Sequence, residues 1–163
     1  MEELSALIQD MNAEAGLLIH YARLEEELQR AVADRKWDQL ENLILKLRKK
    51  SDLVNQAEDK RALSFEGLKS ALGVPADTGF FKVLPLFGDE HRSLLTESYR
   101  KLKIAVYSVK SATLRLSYYF QSVSDTVKDV LAELFPHRKG RMYARNGKVA
   151  ETIDHTLVLN KSL

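Results

Sequence analysis

"LTESYRKLKIAVYSVKSATLRLSYYFQSVSDTVKDVLAEL", Leu95 to Leu134, decides the fold of this chain. Leu95, Tyr99, Leu102, Val106, Val109, Thr113, Leu116, Phe120, Val123, Val127, Val130 and Leu134 recur at alternating spacings of four and three. That spacing puts them on one stripe of a helix, and a 3.5-residue repeat held this long predicts coiled-coil packing. With Asp89 or Ser93 as its cap, the helix runs for about 45 residues, a rod of roughly 65–70 Å. Such a rod cannot bury its seam against itself. It needs other helices of the chain, a second copy, or a client.

Working outward, the chain upstream supplies two more helices. From Glu2 to Val32, the residues Leu4, Leu7, Met11, Leu18, Tyr21, Leu28 and Val32 form a second stripe, interrupted by Glu14 and Glu25. At "ADRKWDQLENL" the pattern restarts, with Asp34 placed to cap the next helix and Trp37 to anchor the corner. That helix carries Leu40, Leu43, Ile44, Leu47, Val54, Ala57, Phe65, Leu68 and Leu72. In its middle, "KLRKKSDLVNQAEDKR", the apolar stripe narrows and charge is left to select a partner. Gly73, Pro75 and Gly79 then break the pattern. "FFKVLPLF", with Pro85 inside it, is too short for a stable helix. It either covers an end of the bundle or waits for a partner.

The expectation is an all-α fold: a long antiparallel hairpin plus a long third helix over residues 1–135, with a basic, flexible tail over 136–163. With only 7 Gly and 3 Pro in 163 residues, the composition suits long helices. No cysteine means no disulfide framework and no thiolate chemistry. No apolar run approaches the roughly 20 residues of a membrane span, and the acidic "MEELSALIQDMN" is not a secretory signal. A cytoplasmic protein without membrane insertion is expected.

Chemistry-bearing motifs are scarce. His20, His91, His137 and His155 are scattered and none sits in a metal-binding spacing, so no metal site is expected. There is no phosphate-binding glycine loop and no nucleophile elbow. The carboxylates alternate with lysine and arginine, the usual pattern of solvated helix faces. No catalytic residue and no cofactor are expected.

Two places read as docking surfaces. If the first two helices stop short of the third, its Leu116–Leu134 portion presents an open groove for an amphipathic helix. Leu116, Phe120, Val123 and Val127 would form its floor, with Tyr118 and Tyr119 adding aromatic area. The second place is "GRMYARNGKV", Gly140 to Val149. His137 to Lys148 holds five Arg or Lys residues and no acid, a local basic patch on a chain of net charge +2. Tyr143 is its single aromatic, too few for a base-stacking platform, so nucleic acid is an unlikely partner beside a solvated tail. Asn146-Gly147 suits a tight turn, since both tolerate positive φ.

The layout resembles the FlgN-type family of flagellar export chaperones. The resemblance rests on "LEEELQRAVADRKWDQLENLILKLRKKSDLVNQAEDKR", the long last helix, "RMYARNGKV", and the end in "LVLNKSL". Members carry a Tyr-x-x-x-Gly motif after the last helix, matched here by Tyr143 to Gly147. The resemblance implies a cytoplasmic chaperone that holds the amphipathic C-terminal helix of hook–filament junction proteins of the FlgK/FlgL type. It prevents their premature assembly and delivers them to the export gate, the cytoplasmic domain of FlhA. By position Tyr143 would dock at the gate, presented by Asn146 and Gly147; the basic flank departs from some members. "RKWDQLENLILKLRKKSDL" also looks like FliT, the chaperone of the filament cap protein, whose chains are usually shorter and lack this tail. The rival outside the class is a structural coiled-coil adaptor that forms a homo-oligomer through the third helix.

Overall fold

The computed structural model describes residues 2–134, and these are all-α. Helix α1 spans Glu2–Ala33, α2 Trp37–Ala71, the single turn α3 Phe80–Val83, and α4 Asp89–Leu134, with a 3-10 turn at Leu84–Leu86 between the last two. The chain divides into two compact units, Met1–Gln121 and Ser122–Leu163.

In the first unit the three long helices pack side by side. Their ends carry charges that suit the helix dipole: Glu2 and Glu3 open α1, and Asp89 and Glu90 open α4, while Arg30 and Lys69 lie in the last turns of α1 and α2. Cross-helix bonds fix the directions. Asp10 and Glu14 of α1 meet Lys60, Ser64 and Arg61 of α2, so these two are antiparallel. Asn12 meets Ser98, Glu25 meets Thr113, and Glu26 meets Arg115, so α4 runs parallel to α1.

The main core joins Leu4, Leu7, Met11, Ala15 and Leu18 of α1 to Leu68 of α2 and Leu95, Leu102 and Ala105 of α4. Removing each such leucine from water contributes roughly 1.5–3 kcal/mol. Val83 of α3 is fully buried in the same core, and Phe80 stacks on Tyr99 with centroids 4.3 Å apart. "FFKVLPLF" therefore covers the core, although Phe81 and Leu86 stay exposed. A smaller cluster of Leu28, Ala31 and Leu43, flanked by Leu24, Leu40, Leu47 and Leu116, closes the turn end of the hairpin.

That turn corrects two expectations. Asp34 caps nothing: its carboxylate pairs with Lys36 at 2.9 Å, and α2 starts after Lys36 without a side-chain cap. Trp37 is exposed and anchors no corner. The turn is instead made by the backbone. Lys36 N–H donates to the Ala31 carbonyl and Arg35 N–H to that of Val32, with Arg35 left-handed at φ 56°. This is a Schellman closure, in which the αL residue is usually glycine. The end of α2 closes the same way on Gly73, at φ 65°.

Candidate functional site

The seam of α4 changes character along its length. Leu95 and Leu102 are buried, Tyr99, Val106 and Val109 are half-buried against the core, and Leu116 packs on the smaller cluster. From Phe120 onward the apolar residues are exposed. Phe120 is 40% exposed, beside the Tyr119 ring at 6.1 Å. In the second unit, every described residue from 122 to 134 is exposed, including Val123, Val127 (53%), Val130, Leu131 and Leu134 (65%). Of the four residues expected to line a groove, Phe120, Val123 and Val127 present open apolar surface. Leu116 does not, because Leu28, Ala31 and Leu43 already occupy its side chain. Tyr143, Asn146 and Gly147 lie outside the described residues.

The register explains where cover ends. Bonded partners on α1 and α4 lie 86 to 89 residues apart. At that offset the last residue of α1, Ala33, reaches the level of about Gln121. Gln121 is also the last residue of the first unit, and the sequence repeat of α4 continues unchanged beyond it.

The α1 face against the other helices is unusually acidic. Asp10, Glu14 and Glu25 are each about 95% buried or more. Burial pushes the Asp10 carboxyl up, but Lys60 at 2.7 Å and Ser64 at 2.5 Å outweigh it and hold it below the ordinary range. For Glu14, burial outweighs the Arg61 Nε–H donated at 2.5 Å and raises the carboxyl. Glu25 is raised by burial as well, opposed by Thr113, whose Oγ1–H lies 2.9 and 3.0 Å from its two oxygens, and by Arg115. The sequence pattern flags Glu14 and Glu25 as interruptions of the stripe; it gives no sign that Asp10 is buried. Their partners lie 47 to 88 residues away, so no local pattern finds them.

Among the described residues no group of three or more metal-ligating side chains converges, and no helix is long and apolar enough to cross a membrane. What the arrangement does offer is apolar helix surface at the end of α4. Comparison of the chain with protein-family models, curated proteins and solved structures finds no match.

Proposed function

We propose that this protein is a cytoplasmic chaperone of flagellar type III export, which binds the amphipathic C-terminal helix of a FlgK/FlgL-type junction protein. The observation that carries this reading is the exposed run of Phe120, Val123, Val127, Val130, Leu131 and Leu134 along α4. The run continues the repeat that forms the core upstream, so it is already patterned to receive another helix. A client helix laid there hides its own apolar face and cannot self-associate. Burial at about 25 cal/mol per Å² supplies the drive. Tyr143, with Asn146 and Gly147, then engages the FlhA cytoplasmic domain. No enzymatic step is needed.

The test is calorimetry with a synthetic C-terminal helix of a FlgK-type protein. Phe120→Ala with Val127→Asp is expected to weaken binding by roughly 30-fold or more, about 2 kcal/mol for losing an aromatic anchor. Helical content should stay constant. Unchanged affinity refutes the assignment of the α4 seam. Tyr143→Ala should leave that affinity intact and weaken capture of the FlhA domain; equal capture removes Tyr143 from the reading. A fixed oligomer whose mass ignores the peptide would favour the adaptor reading.

A further inference from the structure

A second surface lies on the first unit, in the crease between α1 and α2. A cavity of about 450 Å³ opens there over Leu24 and Leu53. Arg23 of α1 and Lys46, Lys49 and Lys50 of α2 surround it, with His20 at one end and Glu27 as the single acid. Among the described residues, none of these four cations makes an ion pair or a side-chain hydrogen bond. Elsewhere among the described residues Lys60, Arg61, Lys69, Lys101 and Arg115 pair with carboxylates, and cations such as Arg48, Lys82 and Lys103 stand without an ion pair; the crease differs in gathering four such cations around one cavity. Four like charges held around an apolar floor repel one another, and an anion placed among them relieves that repulsion.

The shape selects the kind of anion. A second cavity of about 320 Å³ shares Glu27 with the first and lies further along the same two helices, lined by Arg30, Ala31, Asp34 and Leu43. From His20 to Ala31 the lining of the two cavities follows α1 over eleven residue steps, a length of roughly 16 Å. A small anion fills a fraction of that length; an elongated segment fills all of it. At the far end Lys36 and Asp34 pair with each other, and Arg30 donates to the Glu26 carbonyl. Cations without a carboxylate partner are thus concentrated at the first cavity, four there against Arg30 alone at the second.

We propose that this crease binds an acidic amphipathic helix of a partner protein. Its apolar residues sit on Leu24 and Leu53, and its acidic end lies over Arg23, Lys46, Lys49 and Lys50. The trough between two antiparallel helices takes a third by the same ridge-and-groove packing that seats α4 on their other side. This surface is separate from the α4 seam and stands or falls independently of the export reading.

The test displays random 16-residue peptides against the full chain, with the Lys46→Glu/Lys49→Glu variant as counter-selection. Selected peptides are then measured by fluorescence anisotropy. Peptides combining leucine-type residues at helical spacing with clustered acids are expected. Their affinity should fall roughly tenfold or more on Lys46→Glu/Lys49→Glu, hold on Lys46→Arg/Lys49→Arg, and weaken with salt. Leu53→Ser should weaken it too, and circular dichroism should show every variant equally helical. Failure to enrich any peptide overturns the proposal, as does binding indifferent to the charge reversal. Binding indifferent to Leu53→Ser overturns the seated helix and leaves only charge adsorption. Sedimentation with phosphatidylglycerol vesicles through the same lysines, without peptide binding, overturns it in favour of an anionic bilayer.

Discussion

Replacing Arg61 with methionine isolates the electrostatics of the hairpin. Methionine keeps most of the aliphatic stem, so the packing loss is small. What disappears is the guanidinium 2.5 Å from a Glu14 carboxylate that is 5% exposed. Stranding one member of a buried pair costs about 3–5 kcal/mol. The Arg61 side chain is itself 25% exposed, so water already screens part of the attraction and the low end, about 3 kcal/mol, applies. The pH dependence is the sharper part. Glu14 is raised in the folded protein by burial even with Arg61 present, and losing Arg61 raises it further. Below the ordinary value of 4.5 the carboxyl is protonated in both the folded and unfolded states. As pH rises through the raised value, the folded state must either keep the proton or bury a charge, and stability is lost. The Arg61→Met penalty is therefore expected to be large near about pH 7 and to shrink near about pH 4. Urea titrations followed by far-ultraviolet circular dichroism at the two pH values measure it, provided the slopes agree. A penalty equal at both, or under about 1 kcal/mol at neutral pH, would refute the account of a buried charge needing its partner.

Two further predictions use the same measurement. Glu25→Gln keeps an acceptor for Thr113 but removes a charge that burial disfavours. It should stabilise the fold at neutral pH, and the gain should vanish below 4.5, where the wild-type carboxyl is neutral in both states. Arg35→Gly relieves a left-handed residue at the α1–α2 turn. The αL cost of about 1–2 kcal/mol is offset by the extra entropy of glycine, leaving a net gain of about 0.5–1 kcal/mol, visible as a higher urea midpoint.

The long helices were legible because periodicity is local: α1 ends at Ala33, one residue past the expected end, and α4 follows its repeat from Leu95 to Leu134. Local motifs misled where two signals competed for one position. Asp34 is a good capping residue, but the backbone of Ala31, Val32, Arg35 and Lys36 closes the turn first, and the carboxylate is left to Lys36. At the candidate site, Phe120, Val123 and Val127 are exposed and Leu116 packs on the smaller cluster. Leu116 and Phe120 are equally apolar in sequence, and what separates them is that Leu116 meets the Leu28, Ala31 and Leu43 cluster while Phe120 lies level with the last turn of α1, a property of register between distant segments. The crease between α1 and α2 was half visible. Lys46, Lys49 and Lys50 all fall in the charged middle of α2, while Arg23 and Leu24, which line the same cavity from α1, lie far away in sequence.

The acids of α1 also set an order of assembly. Asp10 and Glu14 find their partners in α2, so the hairpin can satisfy both before α4 has been synthesised. Glu25 is different. Its hydroxyl partner is Thr113, and in a bare hairpin nothing in α4 is there to dehydrate its carboxylate. The desolvation of that charge is incurred only when the last helix docks. Docking of α4 therefore carries the cost of dehydrating one carboxylate at neutral pH, and a proton on Glu25 lowers that cost. Within the first unit the last helix is held at one end by the core around Leu7 and Leu95, and at the other it meets a buried acid whose charge it must dehydrate.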